Sequence, residues 1–161
     1  MKLPAVRSWV LLIVCVAIPI AVGIIGSVFT ITEIAGWYSG LQKPFFTPPG
    51  WVFGPAWTIL YILMGLSLYL IVKNGLRTAP VRQGVILFAA QLLLNFAWSW
   101  IFFGRHAILL GLIDVLLLFV LVAATIWVFL RISRSAALLL VPYLCWVGFA
   151  SLLNAMIWVL N

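Results

Sequence analysis

Apolar residues run along this chain in five long blocks, and polar residues are mostly confined to the gaps between them. The blocks cover roughly Trp9 to Thr30, Val52 to Val72, Gly84 to Phe103, Ala107 to Leu130 and Ala136 to Leu160. Each holds about 20 residues, the length an α-helix needs to cross a hydrocarbon core of about 30 Å. Charge, Pro or Gly marks every break: Gly36 to Gly50, Lys73 to Arg82, Gly104 to His106, and Arg131 to Ser135. The pattern predicts an all-α integral membrane protein, a five-transmembrane-helix bundle forming one domain over residues 1–161. Helices suit that solvent because each satisfies its backbone polar groups internally. Pro19 falls in the middle of the first block and predicts a kink, whereas Pro142 falls in the first turns of the fifth, where its missing N–H costs less. The first block follows Lys2 and Arg7 and could be taken for a signal peptide. It is longer than a usual signal core and no A-x-A site follows, so it is read as a retained helix.

Composition strengthens this picture. Apolar residues make up 67% of the chain and charged residues 7%, against roughly 25% charged in a soluble domain. A chain of 161 residues cannot hide that much apolar surface in its own core. The lipid bilayer is the implied partner. The net charge of +7 does not point to nucleic acid, because the nine basic residues are scattered between apolar runs and form no patch. Their sidedness is informative instead. Lys2, Arg7, Lys73, Arg77, Arg82, Arg131 and Arg134 fall on one face of a five-span bundle, and only Lys43 and Arg105 on the other. The positive-inside rule then puts the N-terminus in the cytoplasm, and the C-terminus and the first loop, 32–50, outside. A short basic N-terminus of this kind suits a prokaryotic inner membrane. Cys15 and Cys145 lie in apolar blocks without CxxC spacing and read as small core residues.

Polar side chains inside the spans are the candidates for function. Trp57, Tyr61 and Gly65 share a face of the second helix; Gln91, Asn95 and Trp98 share one on the third; Tyr143, Trp146, Ala150 and Asn154 line the fifth. Amides in hydrocarbon face protein or a cavity. One reading is cross-helix hydrogen bonding, at roughly 0.6 kcal/mol per bond. The other is a pocket, apolar with a few convergent donors. Asp114, among leucines of the fourth helix, is read as a structural intramembrane charge, partnered by a Trp N–H, a hydroxyl or Arg105. The first loop interleaves Pro44, Pro48 and Pro49 with Trp37, Tyr38, Phe45, Phe46 and Trp51, and reads either as an ordered lid or as an interfacial aromatic belt. The sequence carries no nucleophile–base pair, Gly-rich phosphate loop or metal-ligand cluster, and His106 stands alone. Ordinary hydrolytic chemistry has no support.

These residues match a known pattern. Trp37-Tyr38, Leu41-Gln42-Lys43-Pro44, Thr47-Pro48-Pro49 and Trp51-Val52-Phe53-Gly54-Pro55-Ala56-Trp57 resemble the first-loop signature of the TspO/MBR (translocator protein) family. Gln91-x3-Asn95-x2-Trp98 with Ile101-Phe102-Phe103-Gly104 resembles its third helix, and Asp114 with Pro142-Tyr143-Leu144-x-Trp146-x2-Phe149-Ala150-x3-Asn154 its fourth and fifth. The resemblance implies a five-helix bundle, often a homodimer, that binds porphyrins such as protoporphyrin IX and haem, and in animals cholesterol and benzodiazepine-type drugs. Carried over by position, the pocket is lined by Trp37, Trp57, Gln91, Asn95, Trp98, Trp146, Ala150 and Asn154. No cofactor is obligatory and no metal is expected; porphyrin or haem enters as ligand. Receptor or sensor-like binding is the leading expectation, with a transporter of porphyrins or sterols and a light-dependent porphyrin-degrading enzyme as alternatives. Trp37 and Trp146 are the candidate catalytic residues for the last. Against active transport, five spans cannot split into equal inverted halves. The C-terminal segment Leu153-Asn154-Ala155-Met156-Ile157-Trp158 lacks the Tyr and basic residue of the animal sterol motif, a pattern that recurs as Leu66-x2-Tyr69-x3-Lys73. Ala17-x3-Ala21 and Gly23-x3-Ser27 give the first helix small-residue faces suited to dimerisation or to packing within one bundle.

Overall fold

The computed structural model describes residues 5–161, with side chains from Ser8 onward. Lys2 and the side chain of Arg7 lie outside the described residues. Five helical segments are long and apolar enough to span a membrane. The first is α1 (Ala5–Ala35), and the second is α3 (Phe53–Val72). The third is α4 (Ala79–Ser99), continued by a π-helical turn over Trp100–Gly104. The fourth is α5 (Ile108–Leu130). The fifth is split into α6 (Arg134–Leu139) and α7 (Val141–Leu160), with Pro142 in the first turn of α7. The first loop is shorter than its sequence suggests. Helix α1 runs on to Ala35, a short helix α2 occupies Trp37–Gly40, and a 3₁₀ turn over Gly50–Val52 leads into α3.

Packing closes the spans into a ring in the order α1, α3, α6 with α7, α5, α4, and back to α1. The main core includes Met64, Ile71, Val122, Phe129, Ala136 and Tyr143. A second, smaller cluster near the first loop joins Tyr38, Phe102, Phe103, Leu153 and Ile157. Long apolar side chains remain exposed on the outside of all five spans, among them Ile13, Ile25, Ile59, Ile86, Leu117 and Val159. That is the expected state of a surface facing lipid. Trp9 and Trp127 are exposed towards one end of the bundle and Trp51, Trp100 and Trp158 towards the other, as aromatic belts at two interfaces. Arg131 and Arg105 lie over the rings of Trp127 and Trp100.

Two expectations are corrected here. Cys145 is exposed, so only Cys15 is a core cysteine. Asp114 is buried, but its Oδ2 has no hydrogen-bond partner among the described residues. Arg105 is drawn over Trp100 at the membrane end, and the Trp98 indole is committed to Asn154. In the first helix, Gly23 packs against the Tyr61 ring inside the bundle, which leaves Ala17 and Ala21 as the exposed small residues.

Candidate functional site

A cavity of about 310 Å³ opens in the loop-side half of the bundle between α1, α3 and the end of α4. Its walls follow from how α1 and α3 pack. Deeper in the bundle the two helices touch at Gly65, where an added Cβ would strike the backbone of Val16 and lie 2.9 Å from the Cys15 carbonyl oxygen. Nearer the loop, the rings of Phe53, Trp57 and Tyr61 hold them apart. Helix α1 contributes Ile20, Gly23, Ile24, Ser27, Ile31 and Ile34; α4 and its π turn contribute Trp98, Ser99 and Phe103. Tyr38 from α2 closes the loop side.

The π turn matters to this geometry. It presents Phe102 and Phe103 to α2, with Tyr38 packed on them at ring distances of 6.2 and 5.7 Å. Turns of this type inside α-helices are often found at functional sites. After the turn, His106 adopts a left-handed backbone (φ 53°). Its ring stacks on Trp37 at 4.4 Å and its Nε2 lies 3.0 Å from Glu33 Oε2. Lys43 braces the same loop, donating to the carbonyls of Tyr38, Ser39 and Leu41 at 2.8, 3.1 and 2.9 Å. Part of the first loop is thus ordered over the helix ends, while Phe45 and Trp51 stay exposed as interfacial aromatics.

Polar groups along the cavity are few and mostly engaged. Ser27, Thr30 and Thr58 donate to carbonyls within their own helices, Tyr61 donates to Asn95 Oδ1 at 2.7 Å, and Trp98 donates to Asn154 Oδ1 at 3.1 Å. The buried hydroxyl of Tyr38 has no partner among the described residues. Among the described residues, no charged side chain lines the cavity.

Of the residues selected from sequence, Trp57 and Trp98 line this cavity. Asn95 stands behind it, tying Tyr61 to the Tyr143 hydroxyl, to which it donates at 3.3 Å. Asn154 accepts from Trp98 and donates to the Ile108 carbonyl. Gln91 is fully buried with neither amide atom partnered among the described residues. Ala150 packs against the main core. Trp37 lies above the cavity on Phe102 and His106. Trp146 lies on the far side of Trp57, 6.4 Å away ring to ring, and lines an open groove between α3 and α7 with Ile59, Cys145 and Phe149. Sequence reasoning missed the α1 wall, because a helix apolar on every side carries no stripe to read. It also missed Tyr38, whose aromatic neighbour Trp37 drew the attention. The sterol-type pattern on the second helix is self-contained: the Tyr69 hydroxyl meets Ser8 Oγ at 2.6 Å and Lys73 lies over its ring.

A model of the TspO/MBR family matches residues 15–159. The chain is 47% identical over 150 residues to the tryptophan-rich protein TspO of Chlorobaculum tepidum, covering 93% of this chain and 95% of that one. It is 43% identical over 135 residues to the human translocator protein, covering 83% and 80%. With the tryptophan-rich sensory protein of Cereibacter sphaeroides it shares 40% identity over 121 residues, 73% and 72% of the two chains. A family match over nearly the whole length, with relatives at 40–47% identity, means that this chain belongs to the TspO/MBR family.

Proposed function

We propose that this protein is a membrane receptor, sensor-like in its action, that binds tetrapyrroles such as protoporphyrin IX and haem in the cavity beneath the first loop. The observation that carries this reading is the cavity wall itself. Tyr38, Phe53, Trp57, Tyr61, Trp98 and Phe103 surround one apolar space between helices. Aromatic faces offer stacking surface to a flat macrocycle, and a mostly apolar site with few polar groups is typical of ligand pockets. Among the described residues the lining is dominated by aromatic and aliphatic side chains, so stacking is the means by which it would hold a porphyrin. One relative is named a sensory protein, which agrees with binding as the primary act. The described cations support the orientation read from sequence: Lys73, Arg77, Arg82, Arg131 and Arg134 lie towards the end opposite Lys43 and Arg105. On this reading the lid and cavity face the outside of a prokaryotic inner membrane.

Titration with protoporphyrin IX in the dark, followed by tryptophan fluorescence, tests the proposal beside Gly54→Leu. Gly54 lines the cavity and a Cβ there meets nothing within 4 Å beyond its chain neighbours, so leucine has room at the cavity wall, and thermal unfolding of the variant reads the strain of a side chain placed before Pro55. Saturable quenching in the wild type, weakened about tenfold or more in the variant, is expected. Quenching that never saturates, or that is identical in both proteins, would mean partition into the detergent micelle and would remove the site.

A further inference from the structure

We propose that the end of the bundle opposite the lid carries a site for an anionic phospholipid, whose phosphate Arg82 and Arg131 hold across the seam between α4 and α5. The cations are scattered along the sequence, but the fold gathers them. Lys73 follows α3, Arg77 lies in the loop beyond it, Arg82 is in the first turn of α4, Arg131 follows α5, and Arg134 opens α6. All five are exposed. The chain has no means of balancing them, because it contains two acidic residues in all. Glu33 is paired to His106 beside the lid, and Asp114 is buried within α5. Like charges gathered at one end repel one another, and an anion from outside the chain relieves that repulsion.

Geometry singles out one pair of arginines and a lipid as the anion. Gly84 of α4 faces Val128 and Phe129 of α5, with an added Cβ 2.9 Å from the Phe129 ring, while Gly111 of α5 faces Phe102 near the lid. The two helices therefore run antiparallel, and Arg82 and Arg131 stand at the same level on either side of the seam. Exposed Trp127 lies one turn deeper, and the Arg131 guanidinium sits 5.2 Å over its ring. Stacking engages the face of a guanidinium and leaves the N–H groups on its edge for an acceptor. An exposed tryptophan at a span's end marks headgroup depth, where a phosphate can accept bidentate hydrogen bonds from arginine. Below the arginines the surface is aliphatic and exposed, with Ile86 and Leu93 on α4 and Leu117 and Val120 on α5. A soluble anion or a nucleic acid would use the charge and leave this wall bare. A phospholipid uses both, its phosphate at the arginines and its acyl chains along the wall, as basic pockets between spans do with anionic headgroups. The lid end has no such site: Arg105 and Lys43 are its cations, and the Lys43 ammonium is taken up by three loop carbonyls.

The inference is independent of the cavity and is tested without a porphyrin. Native mass spectrometry of the detergent-purified protein, titrated with phosphatidylglycerol or with phosphatidylcholine of the same chains, reads affinity and stoichiometry together. Wild type is expected to bind the first phosphatidylglycerol about ten- to thirtyfold more tightly than phosphatidylcholine. The double variant Arg82→Gln with Arg131→Gln is expected to lose that preference. The double variant Lys73→Gln with Arg77→Gln removes the same charge from the same end and is expected to keep most of it. All four side chains are exposed, so both variants are expected to unfold at the wild-type temperature in lipid-free detergent. Equal loss of preference in the two double variants would reduce the site to diffuse surface charge and overturn the inference. So would equal affinity of the wild type for both lipids, or a preference that survives the loss of Arg82 and Arg131.

Discussion

At the scale of single residues, the amides of the spans divide into two kinds that the sequence presents alike. Asn95 uses both ends of its side chain, accepting from Tyr61 and donating to Tyr143, and so links α3, α4 and α7. One turn away, Gln91 is as deeply buried and uses neither end. The substitutions should therefore act in opposite directions. Asn95→Ala strands two tyrosine hydroxyls and is expected to cost about 1–3 kcal/mol of stability, with ligand affinity little changed because Asn95 stands behind the cavity wall. Gln91→Leu replaces an unpartnered amide by an apolar side chain of similar size and is expected to stabilise by about 1 kcal/mol or more. Thermal unfolding in one detergent reads both; a destabilised Gln91→Leu would reveal a buried water bonded to that amide. Helical spacing made the shared face of Gln91, Asn95 and Trp98 legible. It could not tell which of them meets a partner, since that depends on tyrosines two helices away. Tyr38 adds a pH expectation. Burial pushes its hydroxyl above the usual tyrosine value, so the folded state favours the protonated donor. Its contribution is complete below about pH 10 and is lost as pH rises further. The stability difference between wild type and Tyr38→Phe should accordingly stay flat between about pH 6 and pH 9 in thermal unfolding; a change within that range would implicate another group.

At the scale of elements, Pro19 and Gly65 act as a pair. Proline removes the hydrogen bond that the Cys15 carbonyl would otherwise accept within α1, yet α1 continues through it. Gly65 brings the bare backbone of α3 against that same carbonyl, 2.9 Å from where a Cβ would stand, close enough for Cα–H to contact the freed oxygen. This approach closes the deep end of the α1–α3 interface and lets aromatic rings open the cavity above it. Pro19 was readable from sequence as a local disturbance, but its compensation lies on another helix. The same limit applies to the fifth span, where Pro142 was placed correctly near a helix start while the break at Leu140 between α6 and α7 was not foreseen. Gly65→Ala must push apart two backbones and is expected to cost about 1–3 kcal/mol. Gly54→Ala, on the same helix with nothing within 4 Å of the new Cβ beyond its chain neighbours, meets only the restriction that Pro55 places on the residue before it and is expected to cost less than Gly65→Ala. Equal effects of the two in thermal unfolding would mean that helix propensity, and not close approach to α1, governs Gly65.

At the scale of the whole molecule, the cavity is reached either past the lid or between helices from the lipid, and the lid's attachments decide which route is fast. One side of the lid is held by Trp37 stacked on His106, with His106 paired to Glu33. The other is clasped to the end of the last span: Gln42 N donates to Asn161 Oδ1 and Asn161 Nδ2 donates to the Gln42 carbonyl, both at 3.0 Å. That two-point clasp touches neither the cavity nor its aromatic wall. Asn161→Ala therefore removes a restraint on lid opening without removing a ligand contact. If ligand passes the lid, association and dissociation should both speed up, by about fivefold for two exposed hydrogen bonds at the low end of their usual worth, while the dissociation constant moves much less. Stopped-flow tryptophan quenching with protoporphyrin IX measures both rates. Faster dissociation alone would mean that the clasp stabilises the bound state and does not gate it. Unchanged rates in both directions would direct entry to the lipid face, leaving the lid a fixed roof over a cavity filled from the membrane.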